Sequence, residues 1–293
     1  MRRFFAYRGR LRKLRLTGAI LLLVTGTASL FAQPDETYNY SPGRPGFTCG
    51  STPLIRHTIS AEASLSLAGG WDMPFNESAW LKNRYTFRYS PLDRLELGVG
   101  VGLESHFDND EPAFTTLSPL SVMARINILR KTGGKPGLAM VGELGLPVGV
   151  GLPGSPVTPG VVPTATLVLD HNHKRWGFYY NIGAEWNTYE QEIRLIYSFM
   201  FSCNPDAKGR WNIYGEVVSG NLYLWDLNKY DVFSSRHFNW TGFDLRFGAD
   251  YFITKNLKID FSIAALMWSM ELQGEIGFAY GIPLRKAQRP SDK

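Results

Sequence analysis

Residues 240–268 alternate apolar and polar side chains on both sides of a short turn. The two arms cover residues 243–251 and 257–265, and the turn is Thr254-Lys255-Asn256. A period of two residues puts the apolar side chains on one face and the polar ones on the other, so this segment predicts a β-hairpin. The polar face carries full charges, and the broad apolar face has Trp or Tyr near its ends. That pattern is typical of a wall with lipid outside and water inside, and it predicts a membrane β-barrel.

The same alternation recurs along the chain and predicts an all-β fold, an antiparallel transmembrane β-barrel of about twelve strands. Besides the two arms of the hairpin, strand-like segments cover residues 59–68, 81–89, 95–103, 121–130, 138–146, 161–169, 176–186, 192–203, 211–219 and 273–284. Short connections at 90–93, 131–135, 170–174, 204–209 and 254–256 alternate with longer ones at 69–79, 105–117, 147–160 and 221–238. Short periplasmic turns and longer outer loops are the asymmetry of an outer-membrane barrel, which a soluble sandwich has no reason to show.

Residues 1–32 are typical of a secretory signal peptide. Seven basic residues precede the apolar run 16–24, and small residues lead to Ala32, after which we expect cleavage. Cleavage would reduce Lys and Arg from 31 to 24 against 26 Asp and Glu, a net charge of −2. The formal charge of +5 therefore does not indicate a nucleic-acid partner. No later apolar run approaches the ~20 residues of a membrane helix, so a membrane protein with this sequence requires a closed sheet.

The remaining parts of the chain have separate expected roles. Residues 33–56 are rich in Pro, Gly, Asn and Tyr and lack periodicity, so we expect an irregular periplasmic or lumenal segment before a barrel at 57–285 and a tail at 286–293. Cys49 and Cys203 would both lie near the periplasmic end, in an oxidising compartment. They could form a disulfide, and two unpaired thiols are an equal alternative.

Several motifs resemble one protein family. Arg44-Pro45-Gly46-Phe47-Thr48, followed by Ile59-Ser60-Ala61-Glu62, resembles the opening of the MetA-pathway of phenol degradation family of outer-membrane transporters. Other similar motifs are Arg88-Tyr89 leading into Asp93-Arg94-Leu95-Glu96-Leu97, Leu117-Ser118-Pro119-Leu120-Ser121, Tyr180-Asn181-Ile182-Gly183-Ala184-Glu185-Trp186 and Ile253-Thr254-Lys255-Asn256-Leu257-Lys258-Ile259-Asp260. Gly43 replaces the usual acidic residue, and residues 285–293 follow the last strand without a terminal aromatic. The resemblance implies export to the outer membrane and a role in passing small, aromatic or hydrophobic molecules.

Charged residues on the polar faces are the candidate lumen-lining residues. They are Lys82, Arg84, Arg88, Glu96, Arg125, Glu143, Glu185, Arg194, Glu216, Asp244, Arg246, Asp250, Lys258, Asp260 and Glu275, with Glu62 and Glu104 on the same predicted faces. They could form a ladder of ion pairs that fills a narrow lumen, or line a passage and orient a solute. Twelve strands enclose less space than the sixteen or eighteen of an open porin. We therefore expect a restricted passage, gated by the segment around residues 44–48.

Other motifs carry weaker signals. Gly149-Val150-Gly151-Leu152-Pro153-Gly154 fits a nucleotide-binding pattern, but its prolines forbid the helix that such a site needs. His171 and His173 could share a metal, although an ordinary turn is the expected structure. Asp108, Asp110 and Glu111 could bind calcium or form a solvated acidic loop. We expect no cofactor and no structural metal.

The expected location is the outer membrane of a Gram-negative-type cell envelope. The expected partners are outer-membrane lipid, a small-molecule solute and the barrel-assembly machinery during insertion. No histidine is paired with a serine in a recognisable motif, and nucleophilic catalysis needs such a base within reach, so we do not expect an enzyme. A structural or adhesive barrel with a closed lumen is an alternative to the channel, and a lipase-like barrel enzyme is another.

Overall fold

The computed structural model describes residues 48–70, 79–107, 113–131, 135–148, 160–173, 175–206, 209–219, 222–226, 243–267 and 271–284. These residues form fourteen β-strands: β1 Thr58–Gly70, β2 Ala79–Leu92, β3 Leu95–Phe107, β4 Phe114–Leu117, β5 Leu120–Leu129, β6 Gly137–Leu146, β7 Val162–His173, β8 Trp176–Asn187, β9 Glu192–Cys203, β10 Trp211–Ser219, β11 Leu222–Asp226, β12 Phe243–Phe252, β13 Leu257–Leu266 and β14 Glu271–Pro283. No helix long and apolar enough to cross a membrane occurs in the described part of the chain.

The strands form one closed antiparallel sheet. The order of hydrogen-bonded neighbours is β10, β12, β13, β14, β1, β2, β3, β5, β6, β7, β8 and β9, and β9 pairs with β10 to complete the ring. The first and last described strands, β1 and β14, pair along their whole length from Thr58–Pro283 to Gly70–Glu271. The prediction of a twelve-stranded antiparallel barrel is therefore confirmed.

Two positions of the ring are occupied by interrupted strands. Strand β3 pairs with β5 up to Gly100 and with β4 from Leu103 onward, so β4 continues the line of β5. Pro119 lies in the interruption and has no N–H for the ladder. Similarly, β9 pairs first with β10 and then with β11. These extensions lie in segments 105–117 and 221–238, where the sequence pattern predicted loops, because loss of alternation does not by itself end backbone pairing.

The outer face of the ring is apolar, as period-two alternation requires. Val99, Phe247, Ile263 and Ile276 are among many large apolar side chains that stay exposed, while their polar neighbours point inward. Such a broad exposed apolar surface is stable only against lipid. Aromatic rings contact one another along this face near one end, for example Trp176 with Phe201 and Trp211 with Tyr251.

The two ends of the barrel differ in their connections. At one end the strands are joined across residues 93–94, 130–136, 174–175, 204–210 and 253–256, and we call this the short-connection end. At the other, the long-connection end, the joins include residues 71–78, 147–161 and 227–242, although 188–191 and 267–270 are short. The predicted signal peptide, the part of the irregular segment before residue 48, the glycine motif at 149–154, the acidic group at 108–111 and the tail at 286–293 lie outside the described residues.

Candidate functional site

The candidate site is the lumen, where the predicted charged residues share the inner face of the ring. Contacts between strands that are not neighbours demonstrate this placement. Arg84 on β2 lies 3.7 Å from Glu143 on β6, although β3 and β5 separate these strands in the sheet. Arg246 on β12 pairs with Glu275 on β14 at 2.8 Å, past the intervening β13. Only side chains that point into a closed ring can meet in this way.

A buried ionic cluster lies near the short-connection end. Arg88 donates hydrogen bonds from Nε to Glu62 at 2.9 Å and from Nη1 to Glu96 at 2.8 Å. Arg125 approaches the same Glu96 carboxylate at 3.5 Å. All four side chains are nearly inaccessible to solvent. Removing one member of such a cluster would leave a buried charge without compensation, which is strongly unfavourable.

Two more buried groups lie on other strands of the ring. Lys258 lies 3.2 Å from Asp250, and Asp260 faces Asp250 directly across the β12–β13 ladder. The Arg246 guanidinium contacts Glu216 at 3.7 Å and Glu275 at 2.8 Å and donates to Gln273 at 3.3 Å. Strands β10, β12, β13 and β14 are therefore linked through their inward side chains as well as through their backbones.

Several charged side chains toward the long-connection end are partly exposed to solvent. Lys82 pairs with Glu104 at 3.1 Å, and Arg194 lies 3.8 Å from Glu185. Arg84 is 57% exposed, whereas Arg88, four residues along the same strand, is 1% exposed. The lumen therefore changes from wet to dry over about 13 Å of strand. Asp244, the last of the predicted residues, occupies the same face of β12 as Arg246.

The dry half of the lumen contains residues 48–55, an irregular segment that precedes β1. Its backbone N–H groups at every third residue donate to inward carboxylates: Thr48 to Glu216, Ser51 to Asp170 at 3.3 Å and Leu54 to Glu96 at 2.8 Å. These carboxylates come from β10, β7 and β3, so the segment crosses the interior. Each carboxylate also pairs with a basic residue, Arg246, Lys131 or Arg88.

Side chains of this segment fill the remaining space. Leu54 is 1% exposed and packs against Phe252 of β12 and Ala279 of β14. Cys49 packs against Ala139, Val141 and Val168, which form an apolar patch on the inner face of β6 and β7. Together with the buried charges, these side chains occupy the described lumen toward the short-connection end.

Polar side chains from other strands hold the same segment. Asn127 on β5 donates to the Ser51 carbonyl at 2.9 Å, and Arg125 donates to the Thr52 carbonyl at 3.4 Å. The Asn181 amide on β8 faces the backbone of Cys49. With its oxygen and nitrogen exchanged, it accepts from the Cys49 N–H at 2.9 Å and donates to the Cys49 carbonyl at 3.1 Å.

The alternative of a disulfide between Cys49 and Cys203 is wrong in this structure, where both thiols are free. Cys203 belongs to the lipid-facing set of β9, with Phe199 and Phe201, whereas Cys49 lies inside the lumen beside Asn181. The barrel wall separates the two sulfur atoms. The sequence predicted that both cysteines lie at the same end of the barrel, but this does not determine whether each one faces the lumen or the lipid.

The sequence pattern also misplaced residues 170–173, predicted as a turn. They belong to β7: Asp170 is fully buried, and its carboxylate lies 2.6 Å from Lys131 Nζ. The signal was present, because Asp170 continues the inward series 162, 164, 166 and 168. His171 stacks on Phe178 on the outer face, with ring centroids 4.9 Å apart. In the described part of the chain, no group of three or more His, Cys, Asp or Glu could hold a metal.

Comparison with known proteins identifies the family. The family model described as "Putative MetA-pathway of phenol degradation" matches residues 84–268, more than half of the chain. The chain belongs to this family. No curated protein sequence matches it.

Solved structures share the fold of this family member at low sequence identity. The COG4313 outer membrane channel from Pseudomonas putida F1 has a TM-score of 0.57 and 12% identity, over 79% of this chain and 98% of that one. The KdgM porin has a TM-score of 0.50 and 11% identity, over 75% of this chain and 98% of that one. The similarity establishes an outer-membrane channel type of barrel fold.

Proposed function

We propose that this protein is an outer-membrane channel for a small solute, and that residues 48–55 restrict passage through it. The observation that carries the proposal is the division of the lumen. A water-exposed half lined by Arg84, Glu143 and Arg194 meets a half closed by an irregular segment. A segment held only by side chains can leave without breaking the barrel's ladder, whereas a lumen closed by the strands themselves could not open.

The proposed solute is small and aromatic or hydrophobic. The family description names phenol degradation, and the two structural relatives are named a channel and a porin. The inner face offers a matching surface, because withdrawal of Cys49 would leave Ala139, Val141 and Val168 facing the lumen. An apolar solute could pass this patch while the charged residues above it exclude larger polar molecules.

The proposal includes the route by which the chain reaches the outer membrane. Residues 1–32 direct the chain out of the cytoplasm and are removed after Ala32, and the barrel-assembly machinery inserts the remainder into the outer membrane. The apolar outer face and the barrel fold support this location. The names of the relatives support a channel, and the proposal assigns no catalytic step to the chain.

A structural barrel with a closed lumen is the second candidate, and the dry ionic cluster around Arg88 favours it. An engineered disulfide that holds residues 48–55 in place distinguishes the channel from the structural barrel. Cys49 Sγ lies 3.6 Å from the Asn181 side chain, so Asn181→Cys places two thiols together. The substitution is made with Cys203→Ser, and Cys49→Ser added to that variant is the matched control.

The channel proposal predicts that oxidation lowers conductance in planar bilayers and that reduction restores it, only in the variant with both thiols. Confirmed disulfide formation with equal conductance in the two states would show that residues 48–52 do not gate the lumen. Absence of conductance in either state, also after deletion of residues 34–52, would support the structural barrel.

A further inference from the structure

The described connections at the short-connection end of the barrel carry a positive net charge. Among the described residues at 56–57, 93–94, 130–136, 175, 204–210 and 253–256, eight are Lys or Arg and two are Asp, a net charge of +6. A ring of basic side chains at one end of a membrane barrel attracts anions at the level of the lipid headgroups.

Within this ring, two arginines each precede an exposed tryptophan. Arg175 is followed by Trp176 at the start of β8, and Arg210 by Trp211 at the start of β10. Trp176 is opposite Cys203 on β9, and Cys203 is opposite Ile213 on β10, so both indoles flank the end of β9 on the outer face. Trp176 stacks on Phe201 with ring centroids 4.9 Å apart, and Trp211 contacts Tyr251 in a tilted arrangement with centroids 4.7 Å apart.

The turn between β9 and β10 is hydrogen-bonded both to Arg175 and to the backbone of Arg210. Asn204 N–H donates to the Arg175 carbonyl at 2.9 Å, and Arg175 Nη1 donates to the Pro205 carbonyl at 3.3 Å. The Asp206 carboxylate accepts from the backbone N–H groups of Trp211 and Arg210, both at 3.0 Å. Asp206 is the one acidic residue among the described residues of this turn. The two N–H groups stabilise its charged form and lower the pKa of Asp206, and the hydrogen bond from Trp211 has the largest effect.

We propose that this turn, with Arg175, Arg210 and the flanking Trp176 and Trp211, binds the headgroup of an anionic phospholipid. Interfacial tryptophans mark the depth at which acyl chains meet headgroups, so the preceding arginines reach the phosphate level. The guanidinium group matches phosphate oxygens geometrically and stays charged. The indoles favour a lipid over an acidic soluble protein, because they offer an apolar surface to the acyl chains.

Quenching of tryptophan fluorescence by brominated lipids tests this site in the full-length barrel. The relative binding of brominated phosphatidylglycerol and brominated phosphatidylcholine is measured for the native protein, Arg175→Gln, Arg210→Gln and the double variant. Each substitution should lower the preference for phosphatidylglycerol about fivefold, because a basic residue near an anionic surface contributes about that factor. Arg84→Gln, which removes a lumenal arginine, should leave the preference unchanged.

A second measurement does not depend on the variants. The preference of the native protein for phosphatidylglycerol should fall as the salt concentration rises, because salt screens exposed charges. Roughly 0.05 to 0.5 M is the range over which this screening becomes strong. An unchanged preference in the double variant that still forms a barrel would overturn the proposal. So would loss of the preference on adding inorganic phosphate at constant ionic strength, or binding of an acidic periplasmic protein without any preference between the lipids.

Discussion

Single residues in the wet half of the lumen should determine which ions pass. Arg84 and Glu143 approach each other at 3.7 Å and are both partly exposed, so each contributes an opposite charge to one narrow region. A unit charge about 10 Å from an ion contributes about 0.4 kcal/mol in water, which is about twofold for each ion. Such a pair sets selectivity without contributing much to stability.

We therefore expect Arg84→Ala to raise the ratio of cation to anion permeability, by about fourfold at low salt. Glu143→Gln should shift the same ratio toward anions, and it is the matched control because it alters the other member of the pair. Reversal potentials across a planar bilayer with a salt gradient measure both shifts. Equal reversal potentials for the two variants would mean that ions do not pass between these side chains.

Arg88 is unsuited to the same test, although the sequence predicted it in the same lining. Its guanidinium is buried between Glu62 and Glu96, so its loss would leave two buried carboxylates with less compensation. The difference between Arg84 and Arg88 depends on the neighbouring segment: Leu54 donates to Glu96 and excludes water from this layer. No property of β2 alone distinguishes the two arginines.

At the scale of strands, small residues determine how closely inward side chains pack. A Cβ atom on Gly98 of β3 would lie 2.8 Å from Met123 Cγ and 3.2 Å from Arg88 Cγ. Gly98 therefore makes room for Met123 on β5 and Arg88 on β2. Gly142 on β6 differs, since a Cβ there would meet no heavy atom within 4 Å.

Gly98→Ala should consequently lower the free energy of unfolding by about 1–3 kcal/mol, the usual cost of overpacking. Gly142→Ala should change it little or raise it slightly, because alanine has less unfolded-state entropy to lose than glycine. Urea titrations of the two variants in the same lipid vesicles provide the comparison. Equal destabilisation by both would show that strand propensity, and not contact with Met123 and Arg88, explains the effect.

The irregular segment is held differently from a strand. Thr48, Ser51 and Leu54 are secured by carboxylates of three strands, and their spacing matches the three-residue repeat of extended polyproline-like backbone. Residues 48–55 also pair with no neighbouring strand. Release of this segment therefore requires no break in the strand pairing of the barrel. A disulfide between Cys49 and a cysteine at position 181 would prevent this release, so it tests the gating role of the segment directly.

At the scale of the whole molecule, closure of the ring dominates stability. Each of the twelve strands that form the ring has two hydrogen-bonded neighbours, so the ring itself has no open edge at which unfolding in lipid could begin. We expect protein extracted from outer membranes to begin at Gln33 and to migrate differently on detergent gels before and after boiling. Intact mass and paired gel lanes measure these properties. A chain that still starts at Met1, or one mobility under both conditions, would contradict the export and barrel assignments respectively.

The sequence by itself determined the twelve strands of the ring, though not β4, β11 or the end of β7, together with the face on which their side chains lie. These properties follow from a local rule, because successive side chains of any strand point to opposite faces. The rule also holds for Asp170, which its position in the inward series marks correctly although the turn-like composition around it misled the prediction.

Only the tertiary structure decided which inward groups meet, and which of them stay wet. The meeting of Arg84 with Glu143 depends on ring closure and on the stagger between strands, which no local pattern encodes. The separation of Cys49 from Cys203 depends on residues 48–55 lying inside the wall. That segment lacks periodicity, so its position follows from carboxylates and apolar side chains that distant strands bring together in the closed ring.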